Sequence, residues 1–225
     1  MIKKRSYQQY CPLATGLDII GQRWTLLIIR ELLIAPKRYK ALLENLPGMG
    51  TNLLAERLKT LMNLDLIEQI VQLTPRVSKV YQLTDLGQEL EKPVLALTQW
   101  GSQFLKKKQP KFLFRPEWVL ILIKAAFKPQ KAAYLNICCE WHVDGLIFYI
   151  RVDEGRLEIK LGAAENPMAT VKTDGENFSA VVLGQSRLKD TIVNGAFKIT
   201  GSGLAVVRIM QILCIKDSRT QSEIA

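Results

Sequence analysis

Histidine is almost missing from this chain, with His142 alone among 225 residues, and cysteine is scarce at four. A solitary imidazole leaves no Ser, His and Asp arrangement to nominate, and without a CxxC pair or a second histidine at ligand spacing it gives a metal nothing to bind. A structural role for His142 is therefore expected. Four cysteines are too few for a disulfide scaffold, and the adjacent Cys138 and Cys139 cannot staple distant segments, so reduced thiols are expected. Long apolar runs are lacking too. The run Val119 to Ile123 is cut by Lys124, far short of the roughly 20 residues that span a bilayer. The start, "MIKKRSYQQYC", is basic but has no apolar stretch after it, so it does not read as a signal peptide and a cytoplasmic location is expected. No Walker loop occurs. "GMGTNL" opens like a dinucleotide fingerprint, but it lacks the third glycine and follows a helix instead of a strand. No cofactor, no metal, no membrane and no enzymatic activity are expected.

What is present is ordinary globular material, 48% hydrophobic and 23% charged, in a chain long enough for two modest domains. The net charge of +10 is unevenly spread: residues 1–110 carry 16 Lys and Arg against 9 Asp and Glu, residues 111–225 carry 15 against 12. A basic first half favours an anionic partner, nucleic acid or a membrane surface, because each neutralised phosphate releases counterions.

Periodicity also divides the chain. Up to about residue 109 it reads as helices with one strand pair; beyond about 132, strand-like segments alternate and short helices follow. The break falls near "KKKQPKF", residues 106–112, where a basic run meets a proline. Lys106 to Lys108 read as a solvated helix end, where cations suit the helix dipole. Pro12 opens a first helix, "CPLATGLDIIGQ", with Leu17 and Ile20 inward. "RWTLLIIRELL" forms a second that stops before Pro36, and "RYKALLENL" a third that Pro47 and Gly48 end. After a tight turn comes "TNLLAERLKTL". Short helices joined by a glycine-containing turn are how a helix-turn-helix is written.

In that fourth helix, 100° per residue sets Leu54, Leu58 and Leu61 within about 40° of one direction and Asn52, Glu56, Lys59 and Asn63 within about 40° of the opposite pole. Amides, a lysine and an arginine on one outer side suit base edges and phosphates. A solvated amphipathic face fits the same pattern. The two β-branched runs that follow, Ile67 to Leu73 and Val77 to Leu83, read as a hairpin with Arg76 and Lys79 at or near its tip. Such a tip beside a polar helix could hold DNA from two sides. Thr84 then N-caps a long helix that Pro93 is expected to bend.

The order "CP…GQRWTLLIIREL…RYKALLENLPGM…LLAERLKTL…LIEQ…YQLTDLGQEL…W" resembles the HxlR family of winged helix regulators, relatives of MarR-type repressors, across residues 10–104. The resemblance implies a homodimer on double-stranded DNA, at a pseudo-palindromic operator. The helix from Thr51 to Leu64 would enter the major groove and Arg76 to Lys79 would form the wing. By position, Arg38 and Lys40 would touch phosphate, while Thr51, Asn52, Arg57 and Lys59 would lie at or near bases and backbone. Three positions depart from the family's pattern: Gly50 stands where Ser or Thr usually caps, Asp65 where Gly usually ends the helix, and the wing's Pro-Pro pair is reduced to Pro75, with Lys79 replacing an apolar residue. Family members that sense oxidants often use a cysteine at the place of Cys11, which precedes a helix start whose dipole favours a thiolate; a packed thiol is the alternative.

From Trp118, "EWVLILIKAAF" is a helix or a strand. "AAYLNICCEW", "GLIFYIRVDEGRLEIKLG" and "MATVKTD" then alternate, with a hairpin at "DEG". "GENFSAVVLG", "SRLKDTIVNG", "AFKITGSG" and "LAVVRIMQIL" read as helix, helix, strand and helix. Phe178, Val181 and Val182 should point one way, as should Leu188, Ile192 and Val193. The runs "VDEGRLEIKLGAAENPMATVKTDGENFSAVVLG" and "TIVNGAFKITGSG" resemble a sterol carrier protein type 2 domain over about residues 118–215, which implies a cavity for a small apolar effector; a filled core supporting a dimer is the alternative. The expected fold is therefore α+β: a winged helix-turn-helix domain over residues 1–109, then a sterol-carrier-like α/β domain over 110–225 with a mainly antiparallel five-stranded sheet. Two functions compete, a ligand-responsive transcription regulator and a carrier of lipid-like molecules with no operator.

Overall fold

The computed structural model describes residues 6–73, 77–105 and 113–213. Arg76 and the run Lys106 to Lys108 lie outside the described residues. Contacts divide the chain into two units, Met1–Val94 and Leu95–Ala225. None of the described helices is long and apolar enough to cross a membrane.

The first unit runs α1 (Pro12–Ile20), α2 (Thr25–Ile34), α3 (Tyr39–Asn45), α4 (Thr51–Asn63), β1 (Ile67–Gln72), β2 (Ser78–Leu83) and α5 (Asp85–Gln88), and α6 (Glu91–Ser102) begins within it. Its core gathers Ile28, Ile29 and Leu32 of α2, Leu42 of α3, the Leu54, Leu58 and Leu61 stripe of α4, and Ile67, Val80 and Leu83 of the hairpin. The hairpin is antiparallel, Ile67 opposite Leu83 and Gln72 opposite Ser78. A third segment completes it: Lys37, between α2 and α3, exchanges two backbone bonds with Tyr81, at 2.9 and 2.8 Å.

Two expectations fail in this unit. In α1 the inward residue is Ala14, whereas Leu17 is 42% exposed and Ile20 only half-buried, so one small side chain is all that this helix buries. The helix after Thr84 does not bend at Pro93 but breaks before it, at Glu89–Leu90. Pro93 then falls in the first turn of α6, where its missing N–H costs nothing. Thr84 caps α5 as expected, its hydroxyl accepting from the Gly87 N–H at 3.1 Å.

The second unit contains α7 (Trp118–Ala126), β3 (Asn136–Val143), β4 (Leu146–Asp153), β5 (Arg156–Leu161), β6 (Ala169–Thr173), α8 (Gly175–Val182), α9 (Leu188–Val193), β7 (Lys198–Gly201) and α10 (Gly203–Ile212). The sheet has five strands in the order β5-β4-β3-β6-β7. It is mixed: the central strand β3 runs parallel to β6, with Cys139 opposite Ala169, while β3–β4, β4–β5 and β6–β7 pair antiparallel. A hairpin can join only antiparallel neighbours, and here the chain leaves β3 through β4 and β5 before returning to β3's other edge. Both hairpin turns, Asp144–Gly145 and Glu154–Gly155, have positive φ at both residues (48° and 83°, 44° and 80°), which matches the right-handed twist of the flanking strands.

Alternation along β3 buries Ile137, Cys139, Trp141 and Val143 and leaves Asn136, Cys138, Glu140 and His142 on the other face. Burial pushes the Cys139 thiol up to about 12. His142 pairs with a carboxylate of its own strand. Its Nε2 lies 2.7 Å from Glu140 Oε1, and Glu140 Oε2 accepts the Ala164 N–H at 2.8 Å, tying down the segment before β6. Those two bonds, that from His142 foremost, hold the Glu140 carboxyl below its usual range.

Phe178, Val181 and Val182 of α8 are buried together as expected, but in α9 the buried residue is Thr191, while Leu188 and Ile192 are half-buried and Val193 is 79% exposed. Thr191 can be buried because its hydroxyl donates to the Leu188 carbonyl at 2.7 Å. A cavity of about 600 Å³ lies between α7 and α8.

Candidate nucleic-acid interface

The polar side of α4 is open. Leu54, Leu58 and Leu61 are at most 1% exposed, while Thr51, Asn52, Glu56, Lys59 and Asn63 face solvent. Gly50 enters the helix extended (φ −75°, ψ 155°) and supplies no side-chain cap. The first N–H groups of a 13-residue helix thus stay available at its positive end, as an anion requires.

Tyr39 fixes where that end sits. Its hydroxyl, one residue into α3, donates to the Thr51 carbonyl at 2.6 Å. The neighbours of Tyr39, Arg38 and Lys40, are both exposed, and Lys40 is only loosely paired with Glu44, at 3.8 Å. The tyrosine bond ties the start of α3 to the start of α4, and Arg38 and Lys40 flank Tyr39 in the chain. Lys59 is exposed further along the helix, and Lys79 is exposed on β2 opposite Val71. Arg57 is different. Its side chain is only 15% exposed, Nη1 lies 2.9 Å from Glu56 Oε1, and its Nε is buried with no bonding partner. Arg76 is outside the described residues.

The comparisons bear on this half of the chain. Residues 19–109 match the family described as HxlR-like helix-turn-helix. The HTH-type transcriptional regulator YodB of Bacillus subtilis is 36% identical over 96 residues, which are 42% of this chain and 85% of YodB. This chain belongs to the HxlR-like helix-turn-helix family. An uncharacterised HTH-type transcriptional regulator of Mycobacterium tuberculosis is 34% identical over 92 residues, 41% of this chain and 58% of that relative's length. The solved reduced form of YodB covers 45% of this chain and 100% of its own at 32% identity, with a TM-score of 0.38.

Sequence reasoning missed two residues that position this HxlR-like helix-turn-helix. One is Tyr39. The other is Glu31, fully buried on α2: its Oε1 accepts from Arg30 Nε (3.1 Å) and Nη2 (2.6 Å), and its Oε2 from Asn45 Nδ2 (2.8 Å), with Lys37 Nζ at 3.7 Å. Burial lowers the Arg30 pKa, while the charge of Glu31 pulls it back up. One carboxylate thus joins α2, α3 and the segment that pairs with the hairpin. An acid inside the apolar run "TLLIIRELLI" was the available signal, since buried charges persist only when paired.

The departures at Gly50 and Asp65 are accommodated. Asp65 takes the left-handed conformation (φ 55°) that a glycine would occupy at no strain, and its carbonyl accepts the Thr84 hydroxyl at 2.5 Å. Cys11 is the residue before α1, half-buried, and its thiol caps nothing. Among the described residues, no group of three or more His, Cys, Asp or Glu side chains could hold a metal ion.

Proposed function

We propose that this chain is a DNA-binding transcriptional regulator that holds a pseudo-palindromic operator as a homodimer, residues 1–109 forming its winged helix half. The exposed polar side of α4 carries this reading, because nothing in the first unit's packing requires amides and a lysine there. Asn52 would read a base edge, Thr51 and Lys59 would contact bases or backbone, and Arg38, Lys40, Arg76 and Lys79 would neutralise phosphates. Arg57 would first have to leave Glu56. The homodimer is supported by apolar side chains left open on α1 (Leu13 at 71%, Leu17 at 42%) and on α6 (Leu97 at 49%, Trp100 at 59%), which a second copy would cover.

Fluorescence anisotropy with DNA flanking the chain's own gene tests this. Two chains should bind per duplex, and affinity should fall steeply with salt. Asn52→Ala should cost about 1–3 kcal/mol of discrimination between related sequences. Lys79→Ala should weaken all sequences alike and lower the salt slope by about one. A flat salt response would remove the regulator reading. Cys11 adds a second expectation: diamide should weaken operator binding by the wild type and spare Cys11→Ser. Unchanged wild-type affinity in diamide would make Cys11 a packed thiol and nothing more.

Residues 110–225 form the sensing half in this reading, a sterol-carrier-like domain by its order of strands and helices. An apolar effector there would act only through unequal affinity for the DNA-competent and DNA-free states. The cavity between α7 and α8 equally suits a carrier with no operator. Solvent extraction of the purified chain separates the two, since a carrier retains lipid and shows no salt-dependent DNA binding.

A further inference from the structure

The polar side of α4 carries one acid among its amides and its lysine. Glu56 follows Asn52 by four residues, about one turn, and precedes Lys59 by three, and its side chain is 50% exposed. Phosphates repel a carboxylate, so where this side meets a duplex Glu56 must stay clear of the backbone or find donors among the bases. Few donors are on offer. An ionised carboxylate only accepts, and in the major groove it meets only the exocyclic amines of adenine and cytosine. On adenine the acceptor N7 stands beside the amine, whereas cytosine presents N4 alone, which makes cytosine the better partner.

Glu56 is also held. Residues one apart do not face each other on a helix, yet Arg57 turns back so that its Nη1 lies 2.9 Å from Glu56 Oε1. That arrangement leaves the Arg57 Nε buried with no partner, a cost larger than a half-exposed ion pair offsets. Among the described residues Oε2 of Glu56 has no partner. One oxygen is thus anchored and the other is open to whatever meets this side of the helix. Ala55, exposed between Asn52 and Glu56, adds only a methyl group there, so the helix can come close to a base edge.

We infer that Glu56 reads a cytosine of the operator, whose N4–H donates to the carboxylate, and that Arg57 is a positioning residue that fixes this carboxylate and offsets part of its charge. Arg57 then has no need to leave Glu56. The inference rests on the regulator reading and adds base content to it. Asn52, suited to adenine, and Glu56 lie about 6 Å apart along the helix axis, so the cytosine falls within about two base pairs of that adenine.

The full chain is used to select duplexes from a pool with a randomised stretch, and anisotropy then ranks the selected sequence against its single-base variants. Wild type should favour cytosine at one position of each half-site by about 5–100-fold. Glu56→Ala should flatten that position and leave the others in place. Glu56→Gln keeps the shape but adds a donor, and should move the preference there from cytosine to adenine, which an amide pairs bidentately. Arg57→Ala should weaken the cytosine preference without changing the salt slope, and Arg57→Lys, which keeps a donor and the charge, should restore most of it. A slope lower by about one with base preferences intact would make Arg57 a phosphate contact and end its positioning role. If both Glu56 variants tighten binding to every sequence by one factor and alter no base preference, the carboxylate merely repels phosphate and the inference is overturned. A wild type that selects no sequence at all is a different failure: it removes the regulator reading, and the base assignment goes with it.

Discussion

Replacing Glu31 by alanine is expected to destabilise the first unit by about 3–5 kcal/mol, a large share of the roughly 5–15 kcal/mol that holds a domain folded. Removal of the carboxylate takes an acceptor away from two mostly buried cations, Arg30 at 17% exposure and Lys37 at 12%, and from the amide of Asn45. Loss of one member of a buried charge cluster costs more than the pair itself contributes, and that sets the size of the effect. Glu31→Gln keeps the shape and one acceptor oxygen and should cost about half as much. Urea unfolding followed by far-ultraviolet circular dichroism measures both. Operator binding by Glu31→Ala should also fall below the wild type even where the protein is still folded, because Glu31 ties α3 and the Lys37 segment to α2. A loss of stability under about 1 kcal/mol would show that the buried cluster contributes little.

Gly87→Ala should cost about 3 kcal/mol or more, against the usual rule that alanine strengthens a helix. A Cβ on Gly87 would stand 1.9 Å from the carbonyl oxygen of Leu66 and 3.1 Å from Leu83 Cδ2. The first of these is backbone and cannot turn aside. The same carbonyl accepts the Thr84 N–H at 3.2 Å, and Leu66 is the residue immediately before β1, three past the end of α4. Relief of the clash therefore pushes α5 away from the corner where α4 passes into the hairpin. Gly16→Ala is the control: it also sits inside a helix, α1, but its Cβ would meet nothing within 4 Å, and it should stabilise by about 0.5–1 kcal/mol. Thermal or urea midpoints moving in opposite directions for the two variants would establish close backbone approach as the cause; equal shifts would refute it.

Much of the first unit was legible before any coordinates. Pro12, Pro36, Pro47 and Gly48 punctuate the helices by fixing or freeing φ, and the three leucines of α4 identify its buried side without reference to neighbours. The Thr84 cap was legible for the same reason, since a cap acts within three residues. The break before Pro93 was not, because proline marks either a kink or a helix start and only packing chooses. Nor does "GQRWT" announce that Trp24 caps α2 in the left-handed region, at φ 79°, a conformation that a bulky side chain adopts only when tertiary contacts over-determine it. In the second unit, "DEG" gave its hairpin directly, whereas the equivalent Asp144–Gly145 signal between β3 and β4 was available and overlooked.

The sequence by itself determined the family, the period of each element and the polar outer side of α4, since these depend on residues a few positions apart. Tertiary structure alone decided that β6 lies parallel to β3, that Glu31 gathers Arg30, Lys37 and Asn45, and that a cavity opens between α7 and α8 while aromatic rings fill the interior beneath the sheet. Each of these brings together groups far apart along the chain. Strand order, a buried ion cluster and a void are properties of how surfaces meet, and no local pattern of side chains encodes them.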